Sequence, residues 1–142
     1  MPRAPLPPEL QRFLEQPRRA VVATIRSDGS PVTTATWYGW VDGRLLLSMD
    51  AAGPRVRNLR RDPRVAVTVL ADDWYNHLSL IGRVVELRDD PALADVDRLS
   101  VRYEGKPYEP RDFASVTAIA EIERWHTYGD PASSDMEPRS GR

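Results

Sequence analysis

Gly53-Pro54-Arg55-Val56-Arg57-Asn58-Leu59-Arg60-Arg61-Asp62-Pro63 reads as a short helix with both of its ends marked. Proline is favoured at the first helical position, where its missing N–H costs nothing. The residue before a proline is pushed out of the helical region, so Asp62-Pro63 is a stop. Between the two signals stand Arg55, Arg57, Arg60 and Arg61, one asparagine, and only Val56 and Leu59 as apolar side chains. Those two sit at i, i+3 and hold one face of the turn onto a core. Free N–H groups at the start of a helix, with guanidinium groups beside them, suit an anion such as a phosphate. On charge alone, a solvated basic surface turn reads equally well. The flanking segments tilt the reading.

Upstream, residues 20–26 alternate, with Val21, Ala23 and Ile25 on one side. Ser27-Asp28-Gly29-Ser30 supplies hairpin chemistry, and residues 31–40 return as a second strand. A turn at Val41-Asp42-Gly43 leads into a third strand over 44–49. Downstream, residues 64–71 are rich in valine, and 76–88 form a long strand interrupted by Gly82. A glycine inside a strand predicts a bulge or a barrel corner. Residues 91–103 carry Leu93, Val96, Leu99 and Val101 at near-helical spacing. The last strand, 115–127, places Val116, Ala118, Ala120 and Ile122 on one side. A short amphipathic helix is predicted over 8–15, with Leu10, Phe13 and Leu14 on its apolar face. Six strands, tight turns and few short helices predict a mainly β, closed antiparallel barrel, since closure removes exposed edges.

A chain of 142 residues fits one domain, 1–142, with an ordered core over about 8–129. Both ends are expected to be irregular: the first eight residues hold four prolines, and 130–142 are rich in Pro, Ser, Gly and charge. The net charge of −1 offers no global field for nucleic acid or an anionic membrane. Cysteine is absent, which excludes disulfides, thiolate catalysis and cysteine zinc sites. His77 and His126 are the only histidines and lie 49 positions apart, so no metal site is expected. No Ser-His-Asp arrangement, Walker loop or GxGxxG turn is present. With neither a signal-peptide core nor a membrane-length apolar run, the expectation is a soluble, cytoplasmic domain.

The order of these elements, with Arg55 followed by Arg57-Asn58-Leu59-Arg60-Arg61-Asp62-Pro63 and a valine strand, resembles the split-barrel flavin and deazaflavin oxidoreductases typified by pyridoxamine 5′-phosphate oxidase. The branch it resembles most is the actinobacterial one of F-420-dependent enzymes, F-420 being the 8-hydroxy-5-deazaflavin coenzyme. The resemblance implies a six-stranded split barrel and a homodimer whose interface groove holds the coenzyme. It places the phosphate on Arg55, where the family more often has lysine, with Arg57 and Asn58 beside it. It lays the ring along the second and third strands, at Thr33, Thr34, Thr36, Ser48 and Met49, and lets an aromatic residue of the other subunit, matching Trp74, close the pocket. His77 is a candidate pocket-lining residue, whereas Trp37, Tyr38 and Trp40 are expected in the core or at the dimer contact.

The implied activity is F-420-dependent hydride transfer to an unsaturated small molecule. The coenzyme would carry the chemistry, so no catalytic residue is assigned. Two alternatives stand beside it: an FMN enzyme of pyridoxamine-phosphate oxidase type, and a non-catalytic flavin or haem carrier.

Overall fold

A computed structural model describes residues 1–134 of the chain. Its elements, in chain order, are α1 (Pro8–Glu15), β1 (Ala20–Ile25), β2 (Pro31–Thr36), β3 (Gly39–Val41), β4 (Arg44–Asp50), α2 (Pro54–Arg61), β5 (Arg64–Leu70), β6 (His77–Asp89), α3 (Ala94–Glu104), β7 (Ser115–Tyr128) and α4 (Pro131–Ser134). All strand pairings are antiparallel, in the order β2-β1-β5-β6-β7-β4-β3. Among the described residues there are thus seven strands rather than the six expected. The difference lies at Trp37-Tyr38, where the predicted second strand breaks into β2 and β3. The Thr36 hydroxyl donates to the Trp37 carbonyl at 2.8 Å, and the fully buried Tyr38 donates from its phenol to the Gln16 carbonyl at 2.8 Å. One segment therefore supplies both ends of the strand order. β2 pairs with β1 and β3 with β4, and the chain itself joins the two edges.

The barrel interior is filled by the alternating residues of these strands. Val22, Leu45, Leu47, Val67, Val69, Leu78, Leu80, Val116 and Ala118 are buried, with Val56 and Leu59 of α2 plugging one end. Leu46 and Ile119 are opposite each other on the outer face of β4 and β7, and there they meet Leu99 of α3. The outer face of β4 is thus apolar at Leu46, where α3 covers it, while Arg44, Ser48 and Asp50 share that face as polar residues. Gly39 lets this helix come close: a Cβ there would lie 3.3 Å from a methyl of Leu99. Val101, predicted on the apolar side of α3, is exposed.

Gly82 marks a bulge, as its place in the sequence suggests. The register runs Ile81↔Arg124 and then Gly82↔Ile122, leaving Glu123 of β7 unpaired, and a second irregularity follows between Val84 and Glu86.

Two anchors hold α3. Asp90 accepts the backbone N–H groups of Asp95 (3.0 Å) and Val96 (3.2 Å) at its start. Near its other end the Arg102 guanidinium donates to the carbonyls of Leu14, Glu15 and Gln16 at 2.6–2.8 Å, which satisfies the C-terminal end of α1. The proline-rich N-terminus has no regular element of its own, yet it lies along β7. The Ala4 amide donates to the Glu123 carbonyl and the Trp125 amide to the Pro2 carbonyl, and Leu6 is buried. At the other end, the expected irregular tail begins with α4, and its residues 135–142 lie outside the described residues.

Candidate cofactor groove

β2 and β4 are not hydrogen-bonded to each other. Between their C-terminal ends a groove of about 740 Å³ opens, lined by Ala35, Thr36, Ser48, Met49, Asp50 and Arg55 together with residues of α3 and the loop after it. That volume lies in the upper half of the range for small-molecule sites.

Arg55 enters the groove because Pro54 opens α2. Gly53 precedes it in extended backbone with no side-chain cap, and the Asp50 carboxylate closes the preceding turn by accepting the Ala52 amide at 2.9 Å. The first helical N–H groups therefore have no side-chain cap, and the half-buried Arg55 stands beside them. Its guanidinium donates to the Thr36 hydroxyl at 3.3 Å, and no carboxylate pairs with it among the described residues. Burial lowers its pKa from the ordinary arginine value. An arginine stays protonated in proteins all the same. A half-buried cation without an anion is costly, and a phosphate at this point would offset the cost.

Of the residues singled out in the sequence, Thr36, Ser48, Met49 and Arg55 meet in this groove. The others do not line it. Thr34 shares the face of Val22 while Thr33 shares that of Ala23, on the opposite side of the sheet. Arg57 is exposed and donates to the Ala52 carbonyl at 3.0 Å. Asn58 is buried: its amide nitrogen donates to Thr24 Oγ1 at 3.2 Å and its oxygen accepts from Arg61, which anchors α2 to β1. Trp74 is exposed and stacks on Tyr75, and His77 stacks on Tyr128 with ring centres 5.6 Å apart.

Sequence reading missed the aromatic side of the groove. Trp37, expected in the core or at a dimer contact, lines it and stacks on Tyr103 at 5.4 Å between ring centres, 10° from parallel. Tyr108 stands edge-on to Trp37 at 6.0 Å, and Phe113 edge-on to Tyr108 at 5.8 Å. The Tyr103 hydroxyl is already committed: it donates to the Arg18 carbonyl at 2.6 Å, and burial raises its pKa. Tyr103 is therefore a wall rather than an acid. Arg19 and Asp112 complete the rim.

Seven antiparallel strands with few short helices, and a groove where β2 and β4 part, define the class of split-barrel folds. Residues 6–129 match the model of the pyridoxamine 5′-phosphate oxidase family, and the chain belongs to that family, which binds cofactors of the flavin type. Among solved structures, the chain is similar to an F420 reductase, with 28% identity and a TM-score of 0.79 over 85% of this chain and 98% of that one. It is also similar to the conserved hypothetical protein Rv2991 from Mycobacterium tuberculosis, with 26% identity and a TM-score of 0.72 over 99% and 93% of the two chains. A putative pyridoxamine 5′-phosphate oxidase from Listeria innocua shares the fold, with 19% identity and a TM-score of 0.65 over 84% and 94%. Among the described residues, no helix is long and apolar enough to cross a membrane.

Proposed function

We propose that this chain is an F-420-dependent oxidoreductase that reduces an unsaturated organic acceptor, with FMN as the alternative cofactor. The observation that carries the reading is Arg55, a half-buried guanidinium at an uncapped helix start, with no carboxylate partner among the described residues and open to the groove. The likeness to an F420 reductase favours the deazaflavin over FMN. Arg55 and the first amides of α2 hold the phosphate, and Thr36 steadies the guanidinium. Ser48 and Met49 on β4 flank the ring, with the Ser48 hydroxyl fixed by Ser115 Oγ at 3.3 Å. When bound in reduced form, such a coenzyme supplies a hydride. The protein's part is to orient the ring, exclude water and seat the acceptor against it, while solvent supplies the accompanying proton.

The assay follows loss of reduced F-420 with a panel of quinones, tetrapyrroles and enones. Turnover is expected with at least one of them and with no reduced nicotinamide as substitute. Peroxide release from pyridoxamine phosphate with bound FMN would instead mark an oxidase.

A second copy completes the site in this reading. By register, Val21, Ala23 and Ile25 of β1 share an outward face with Ala66, Thr68 and Leu70 of β5 and with His77, Ser79 and Ile81 of β6. None of these residues is fully covered, and Ile81 and Trp74 are exposed. An outward sheet face this apolar is suited to a two-fold contact. It also carries Thr33 and His77, two of the six candidates that the groove of a single copy leaves out. Light scattering is expected to give twice the 16.1 kDa chain mass at micromolar concentration. A monomer would remove the shared site.

A further inference from the structure

The groove has two chemically different halves. One is cationic and hydroxylic, at Arg55, Thr36 and Ser48; the other is a wall made by Trp37, Tyr103, Tyr108 and Phe113. Tyr108 and Phe113 belong to the loop after α3, a stretch of glycine, prolines and charge with no helix or strand of its own. Asp97 clasps this loop. One oxygen of its carboxylate accepts the Tyr108 amide at 3.0 Å and an Arg111 guanidinium N–H at 2.7 Å, and the same guanidinium nitrogen donates to the Tyr108 carbonyl at 3.1 Å. Asp97 is thus bonded to Tyr108 and to Arg111 across the turn, between the two aromatic residues of the loop.

Resting on the functional reading above, we infer that the clasped loop forms the acceptor subsite, that it selects flat, uncharged, conjugated molecules, and that Asp97 and Arg111 are its positioning residues. The choice of occupant follows from three features. The aromatic half and the Arg55 half line one groove of about 740 Å³, so the aromatic half is open to a flat molecule beside the ring. Aromatic side chains favour stacked or edge-on contacts with a flat partner. The wall itself is neutral, made of Trp37, Tyr103, Tyr108 and Phe113, and the rim charges Arg19 and Asp112 are of opposite sign, so a charged acceptor finds no net partner there. Arg111 holds the Asp97 carboxyl below the ordinary carboxylate range. The clasp therefore stays charged at neutral pH and is lost only as the pH falls through that lowered value.

The test compares a flat acceptor, menadione, with a small non-aromatic one, cyclohexenone, in steady-state kinetics with reduced F-420. Arg111→Gln and Asp97→Asn are expected to raise the KM for menadione about tenfold. They should leave the cyclohexenone KM and the coenzyme Kd unchanged, and Arg111→Lys should restore most of the menadione KM. Equal shifts for both acceptors, a shift in coenzyme Kd, or no shift at all would overturn the inference while leaving the functional reading intact. Should the parent protein bind no coenzyme, the functional reading falls alone. Menadione binding, read by quenching of tryptophan fluorescence, then decides the subsite: loss of quenching in Tyr108→Ala supports it, and quenching that is absent or unchanged overturns it.

Discussion

Replacing Gly82 by alanine is expected to lower the stability of the fold by about 3 kcal/mol or more, enough to leave a domain of ordinary stability marginal. A Cβ at this position would lie 2.1 Å from the Glu121 carbonyl oxygen and 3.1 Å from the Ile122 Cα, both backbone atoms of β7. Backbone in the middle of a ladder cannot swing aside as a side chain can. β6 and β7 would have to separate at the bulge, where Gly82 pairs with Ile122 and Arg83 with Glu121. Each ladder hydrogen bond lost there costs about 1 kcal/mol, and more where the freed group stays buried. Gly29→Ala is the internal comparison. It has a φ of +84° in a hairpin turn with open space around it, so it carries only a left-handed strain of about 1 kcal/mol. Urea unfolding of both variants separates the two effects. Equal midpoints for Gly82→Ala and the parent would mean that the strands do not approach as closely as described.

Replacing Arg55 by alanine is expected to weaken coenzyme binding by about 1.5–3 kcal/mol, roughly 10- to 150-fold, the scale of a charge-assisted hydrogen bond. Folding should be little affected. The side chain has a single hydrogen bond to Thr36 and no carboxylate partner among the described residues, and its burial is a cost that the truncation relieves. Binding thus responds while folding does not, which sets this residue apart from Asn58. Asn58→Ala leaves a buried Thr24 hydroxyl without its donor and should act on stability first.

These two residues also show what a sequence can and cannot disclose. The strands, the bulge at Gly82 and both ends of α2 were legible because each depends on local chemistry: alternation, a glycine within a strand, and prolines placed at a start and a stop. The split of β2 from β3 was not. It depends on Tyr38 being drawn inward to the Gln16 carbonyl, 22 residues away in the chain, and nothing in Thr36-Trp37-Tyr38-Gly39 records that partner. The same limit applied at the groove. Arg55 was readable from its place at the helix start, and Thr36 lies beside it. Asn58 stands in the same helix, where the resemblance set it beside the phosphate, but its direction is set by Thr24 and Arg61 and the fold uses it as an anchor. Tyr108 and Phe113 sit in a segment with no periodicity. They line the groove from a loop that Asp97 of α3 fastens through Tyr108 and Arg111, partners 11 and 14 residues away in the chain.

The functional reading places the coenzyme phosphate on Arg55, and a fluorescence titration with F-420 and FMN, run side by side on the parent protein and on Arg55→Ala, tests that most directly. The account predicts that F-420 binds the parent more tightly than FMN and that the substitution weakens its binding at least tenfold, with the melting temperature unchanged. Equal affinity of parent and variant for F-420, or no binding of either coenzyme to the parent, would contradict it.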